Sequence, residues 1–567
     1  MTALWQAGVG AVLTVFLAGI SEAIGQSVVL FVNRVQPARF VLSLLINALL
    51  VAFGYAFIVL STWATFFLPG SHPIALGVLA LAVAFSYAPL LGAFLGALPY
   101  AGTAVLFALR IWQLLAMAAA IAPVAHISIF VSAAHVALGW TVMIVAQHTL
   151  GKPIADLGVR LADAAAGKTI VQERVAVGRA VHQFRRANTP VSAGSAPASE
   201  RKKAVGFPVF AVIILTFVFV AFIVAVLTPL HNAIAGSVTG IFLRASIDLV
   251  WLTIVAIVVA AFLAPLETLG WWAGWYGDKV DPHAAHATSG APAATLTFSK
   301  GEGDTHRYVV YLDGICQSSS RYTPDVEGFL DALTPELPQG VQLIRGIMAY
   351  SVINRPLDDD PMYARFWKLI ELLRVGARTQ ILGMFINIRN VMIVAVSADQ
   401  RYGPLYNLGI AQVIYNALLE RGYRKRSRTP ITMIGYSGGG QMCVETAPLL
   451  ELALGAPVEV ISLGGVMTGT APFMHFDHLH HMKGSKDIIE PLGPIMFSSR
   501  WKMFMKSRWN KALKAGRITL IPLGPVRHQV PGGMLDPEYK LPDGRSALRN
   551  TLDHINAILN PKSVSSP

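Results

Sequence analysis

Charge is what this chain has least of. Asp, Glu, Lys and Arg make up 14% of its 567 residues, where a soluble protein averages about a quarter. A wholly soluble globular chain is thereby excluded, and the shortage is uneven: residues 1–275 hold long apolar runs, whereas 290–567 have an ordinary mixed composition. Cysteine is scarce too. Cys316 and Cys443 stand in no CxxC or other metal spacing, which excludes a disulfide framework and a thiolate metal centre and fits a reducing compartment. Both read as small buried hydrophobes. The net charge of +13 comes without a nucleic-acid-binding motif. Much of it sits in one segment between apolar runs, so the expected partner is an anionic lipid headgroup and not a nucleic acid.

What the amino-terminal half does have is hydrophobic length. A helix needs about 20 mostly apolar residues to cross a bilayer, and seven candidate stretches qualify: 8–32, 41–67, 73–95, 103–122, 126–148, 207–230 and 240–266. The first carries Ser21, Glu22, Gln26 and Ser27 near its middle, which predicts a broken or re-entrant helix. It lacks the basic flank and cleavage site of a signal peptide, so it is expected to stay in the mature chain. Basic residues fall at 34 and 39 and throughout 149–206, while 68–72 and 231–239 contain no Lys or Arg. Because basic loops stay on the cytoplasmic side, seven spans would leave the amino terminus outside and everything after 275 in the cytoplasm. With so few cysteines, this multi-pass layout suits a bacterial inner membrane. Residues 155–186 alternate apolar and basic side chains at helical spacing, as a helix lying on the membrane surface would. Glu22, Arg110, Arg244 and Asp248 are ionisable groups in or beside spans, where such groups are costly; Arg244 and Asp248, one turn apart, are placed to pair.

The carboxy-terminal half is organised around Ile431-Thr432-Met433-Ile434-Gly435-Tyr436-Ser437-Gly438-Gly439-Gly440-Gln441. A β-prone run ends in Gly-x-Ser-x-Gly and passes at once into a helix-compatible segment reaching Leu454. A serine on so tight a strand-turn-helix corner is exposed on strained backbone, and only glycine fits two residues to either side. The Gly438 N–H at the helix start, aided by the helix dipole, is placed to meet negative charge developing on a substrate oxygen.

Strand-like runs recur at 307–312, 341–347, 430–435, 458–465, 478–483 and 517–523, with helical periods at 324–333, 361–375, 405–421 and 547–559. Such alternation predicts a mostly parallel sheet covered on both faces. This half resembles the α/β-hydrolase family: Gly435-x-Ser437-x-Gly439 matches its nucleophile elbow. The resemblance implies Ser437 as nucleophile, Asp487 in the Gly-x-x-Asp loop after a strand as the acid, with Glu490 the alternative, and His528 between the last strand and last helix as the base, with His554 its rival. Asp313 replaces the histidine that the family commonly places in the loop after the first of these strands. Gly314 there still permits a close approach, and Ile315 or Cys316 would supply the second oxyanion donor. Residues 8–148, through Phe85-Ser86-Tyr87-Ala88-Pro89 and Leu98-Pro99-Tyr100-Ala101-Gly102, resemble the membrane domain of Yip1-type proteins, implying a multi-pass bundle.

The expected architecture is therefore a helical membrane domain over 1–275, including the basic loop 149–206, a linker over 276–295, and an α/β-hydrolase domain over 296–567. The expected activity is serine hydrolysis of a lipid-like or long-acyl ester or thioester without cofactor or metal. Acyl transfer by the same mechanism and a non-catalytic membrane scaffold are the alternatives. His475, Asp477, His478, His480 and His481 match no zinc spacing, and neighbours on a strand point to opposite faces. Residues 467–476 and 500–514 are expected to form a cap beside the membrane, with Trp501, Phe504 and Trp509 as its apolar face.

Overall fold

The computed structural model describes residues 2–149, 152–171, 231–237, 240–275, 305–317, 322–352, 379–425 and 427–560, together with the single positions 178, 228 and 354. The chain divides into two compact units, 1–176 and 177–567. The expected span at 207–230, the linkers at 189–199 and 281–295 and the expected helix at 361–375 lie essentially outside the described residues.

The first unit is all helical: α1 Thr2–Gly25, α2 Val28–Val32, α3 Pro37–Thr65, α4 Leu76–Phe85, a 3-10 segment Ala88–Ala97, α5 Gly102–Ala125, α6 Ile129–Thr149 and α7 Lys152–Ala166. Three of its helices, Gly8–Gly25, Pro37–Thr65 and Gly102–Ala125, are long and apolar enough to cross a membrane. The first expected span is interrupted at Gln26 and Ser27, and the third is a pair of helical pieces bent by 41°. Small residues let the backbones close up. A Cβ added at Gly19 would lie 2.8 Å from the Ala48 carbonyl oxygen, and one at Gly25 only 2.3 Å from that of Ala93, the close backbone approach that small residues permit between helices. Polar side chains complete the bundle. Ser21 Oγ donates to Leu91 O and accepts from Phe94 N, pinning the 3-10 segment, while the buried Glu22 carboxylate pairs with Arg110 and accepts from Gln26. Asn33 exchanges two hydrogen bonds with the Val171 backbone, and Lys168 donates to Arg34 O. The basic 33–39 loop and the basic segment at 164–171 therefore meet at one end of the bundle.

The second unit contains a fourth span-length helix, α8 Ile241–Ala273. At 1.5 Å per residue its 33 residues reach about 50 Å, more than the ~30 Å of hydrocarbon in a bilayer. Ile241, Phe242 and Leu249 are exposed, whereas Phe262, Leu269, Trp271 and Trp272 are buried. Asp248 turns to His231, 2.8 Å away, instead of the expected Arg244. The inner end of α8 belongs to the fold of the sheet: a Cβ on Gly409 would stand 3.0 Å from Val352 and 3.3 Å from the Trp271 ring.

Six parallel strands form that sheet: β1 Arg307–Leu312, β2 Val341–Ile347, β3 Ile431–Tyr436, β4 Val458–Leu463, β5 His478–Lys483 and β6 Ile518–Pro522, in the order β2-β1-β3-β4-β5-β6. β1 and β3 are almost continuously apolar because both their faces are covered. One face packs on α9 Pro324–Leu333 and α15 Ala547–Leu559 through Tyr311, Phe329, Ile434, Met482 and Ile555. On the other lie α10 Thr379–Ala398, α11 Gly403–Glu420 and α12 Gly438–Leu454, followed in sequence by the short α13 Leu492–Met496 and α14 Arg508–Lys514. Of the three long helices on this face, α10 has no counterpart in the sequence reading. Packed between α8, α11 and α12, it is apolar nearly all round and shows no amphipathic period. The chain steps from β1 outward to β2 and returns past β1 to β3, so the order reverses between β1 and β3. The carboxyl ends of strands at such a reversal are where open parallel sheets bind ligands.

Candidate active site

Ser437 stands at that reversal, with φ 52° and ψ −120°. An L-residue holds this conformation at a cost of roughly 1–3 kcal/mol, so the surroundings have to enforce it. Glycines make the enforcement possible: a Cβ on Gly435 would lie 2.6 Å from Gly439 O, and one on Gly439 2.4 Å from Leu312 O and 2.7 Å from Asp313 O. Ser437 N donates to Leu463 O, and Ser437 O accepts from Val466 N, fixing the corner to the end of β4. The Gly438 N–H, first in α12, has no acceptor within its helix.

Asp487 and His528 meet beside this corner. Oδ2 of Asp487 lies 2.8 Å from His528 Nδ1, and Oδ1 accepts from the Ile489 and Glu490 amides. The carboxylate thus accepts a hydrogen bond from Nδ1–H, which leaves the lone pair on Nε2, an atom that is buried and makes no hydrogen bond. The hydroxyl of Ser437 does not bond it in this conformation, as is common before substrate binds. The imidazole stacks on Tyr436, the residue before Ser437, with ring centroids 5.2 Å apart, and Tyr436 Oη donates to His528 O. Gly464, at φ 56°, closes the group. A side chain there would stand 2.9 Å from Asp487 Oδ2 and 3.0 Å from His528 Cε1.

Glu490, the alternative acid, is spent elsewhere. His481 Nε2 and Arg500 both lie 3.0 Å from its Oε1. Although burial opposes ionisation, these partners bring Glu490 down to about 2, while burial lowers the His481 imidazole from its ordinary value against the pull of Glu490. His554 stays on α15 near Asp553 and Arg545, and the Asp487 carboxylate does not bond it. The histidine-rich strand divides as alternation requires: the rings of His478 and His480 lie 4.4 Å apart on one face, and His481 points to the other. Trp509 is not part of an exposed apolar face but is buried under the Arg500 guanidinium, 4.2 Å from its ring centroid. Cys443 is buried as expected. Cys316 is exposed, because the loop turns Gln317 inward instead.

The 313–317 loop closes the site opposite His528. Gly314 packs on Ser437, where a Cβ would sit 3.2 Å from that of the serine, but its N–H is taken by Asp313 Oδ1 at 2.8 Å. Gly314 therefore gives space and not an oxyanion donor, and the Ile315 and Cys316 amides stay the candidates for that role. No family model, curated protein or solved structure matches the chain.

What secures the loop was not legible in the sequence. Asn390 on α10 is fully buried and donates both amide hydrogens to the loop, to Ile315 O at 2.7 Å and Gln317 O at 2.8 Å. Arg389 donates to Asn390 Oδ1 and Tyr350 O, and Tyr350 Oη donates to Asp313 O. Val394, one turn beyond Asn390, lies against Gly438, so α10 touches the supports of Gly438 and of the loop that bears the other candidate donors. Seventy-five positions separate Asn390 from Ile315, and no motif joins them.

Two expectations follow. Asn390→Ala should slow acylation of Ser437 by an activated ester about 10- to 100-fold, up to the loss of one oxyanion donor, with KM little changed; an equal fall in folded protein and no kinetic defect would contradict this. Asp313, buried at the end of β1, has its carboxyl pushed up from 3.8 to about 6 by desolvation. Its folded-state preference for the neutral acid, about 3 kcal/mol, is fully present below pH 3.8 and lost as pH rises through about 6. Thermal melts of Asp313→Asn should accordingly lack a destabilisation between pH 4 and 7 that the parent chain shows.

Proposed function

We propose that the chain is a multi-pass membrane protein whose sheet-bearing half, of α/β-hydrolase type, is a serine hydrolase acting on a lipid-like or long-acyl ester or thioester at the cytoplasmic face of a bacterial inner membrane. The observation that carries the reading is a strained, glycine-cornered Ser437 beside Tyr436, on whose ring stacks a His528 with Nδ1 committed to Asp487 and a buried, unmatched Nε2. A buried polar atom left without a partner needs a reason, and a general base waiting for a proton supplies one.

Ser437 Oγ would attack the ester carbonyl carbon as Nε2 of His528 takes its proton. The resulting oxyanion would be met by the Gly438 amide and the Ile315 or Cys316 amide. Collapse breaks the carbonyl–oxygen bond, and the imidazolium returns its proton to the departing alkoxide. Water then enters by the same route, its proton passing to Nε2, and frees the acid and the serine. Asp487 keeps the imidazole in one tautomer and balances its transient charge. The substrate class rests on composition: the described residues include four span-length helices, and one of them, α8, lies in the compact unit that carries the site. An acceptor alcohol replacing water would turn the same steps into acyl transfer.

A fluorophosphonate probe applied to the purified chain should add one phosphonyl group, lost in Ser437→Ala and slowed at least 100-fold in His528→Ala. Labelling that survives Ser437→Ala, or none in the parent, would sink the reading.

A further inference from the structure

Among the described residues of 305–560, twelve large apolar side chains are exposed, and eight of them fall within 488–505. Ile488, Ile495, Met503 and Met505 are each about 70–80% exposed, and Trp501 and Phe504 about 45%. It shares Trp501 and Phe504 with the face expected from the sequence, but it extends back to Ile488 and leaves out the buried Trp509. It starts beside the site, since the amides of Ile489 and Glu490 hold the Asp487 carboxylate. It is also built: Trp501 donates to Pro494 O, Asn510 donates to the carbonyls of Trp501 and Phe504, and the buried Phe497 beneath it packs with Val466 and Ala398.

Its charges have one sign. Lys486, Lys502, Lys506, Arg508, Lys511 and Lys514 are exposed, whereas the only carboxylate between 488 and 516, Glu490, is buried against Arg500 and His481. Exposed aliphatics and aromatics, edged by lysine and free of exposed acid, match the headgroup zone of an anionic bilayer, where aromatic rings sit at headgroup level and each nearby lysine or arginine adds about 1 kcal/mol. The same compact unit carries α8, whose inner end packs beside α10 while Ala398 at the end of α10 touches Phe497. We infer that residues 488–505 form a bilayer-docking face that seats the mouth of the Ser437 site on anionic lipid.

This inference rests on α8 being embedded but not on hydrolysis, and its test needs no turnover. The full chain with Cys316→Ser and Met503→Cys, carrying an environment-sensitive fluorophore, is placed one copy per nanodisc containing phosphatidylglycerol and doxyl-labelled lipid. A control label replaces Leu452, exposed at the carboxyl end of α12 and so at the opposite edge of the sheet. The expected result is quenching severalfold stronger at 503 than at 452, weakened when phosphatidylglycerol is replaced by phosphatidylcholine and reduced for a label at Ile495→Cys in the Met505→Asp variant. Equal quenching at 503 and 452 in discs that retain the chain would overturn the inference, as would protection of the 503 label only when two copies share a disc.

Discussion

Everything at the candidate site hangs on one backbone corner. Ser437 sits in a conformation that an L-residue leaves as soon as its neighbours permit, and it is kept there because β1 and β4 press on it from both sides. The Gly435 and Gly439 positions tolerate no side chain, because main-chain atoms of Gly439 and Gly440 fill that space at the first and the Leu312 and Asp313 carbonyls fill it at the second. Stored strain of this kind is stable only where the surrounding sheet over-determines it. A six-stranded parallel core buried on both faces provides that rigidity.

Around the corner, polar groups are assigned so that few remain ambiguous. Asp487 accepts from two amides and one imidazole, which fixes the tautomer of His528. Glu490, three residues on, is kept apart by Arg500 and His481, so two neighbouring carboxylates do not compete for one ring. Asp313 spends an oxygen on Tyr311 and Gly314. The loop it begins is held from α10, which packs beside the apolar helix α8. A side chain on the helix packed against α8 thereby holds the loop at the end of the sheet.

How much of this could be read in the sequence depended on the range of the interaction. The strands and the helices at 324–333, 405–421 and 547–559 were visible because each carries its own periodicity, and the six strand runs fall where the sheet has them. Ser437 was marked by its local strand-turn-helix corner, Asp487 and His528 were implied by a resemblance in motif order, and the structure joins the last two directly. What escaped was set by packing. Helix α10 has no polar face to mark its period, Trp509 was read as surface although Arg500 covers it, and nothing in the spacing marks that the Gly314 N–H donates to its neighbour's carboxylate. Asn390 could not be found at all, because its partners are defined by the fold and not by spacing.

The central claim is that the Gly438 amide, the Ile315 or Cys316 amide and His528 Nε2 converge on one point above Ser437. A structure of the chain carrying a phosphonate on Ser437 measures this directly. The account predicts the phosphonyl oxygen about 3 Å from both amide nitrogens, with His528 Nε2 in hydrogen-bond reach of the serine oxygen or the phosphonate. A phosphonyl oxygen turned to solvent, with the 313–317 loop directed elsewhere, would contradict it.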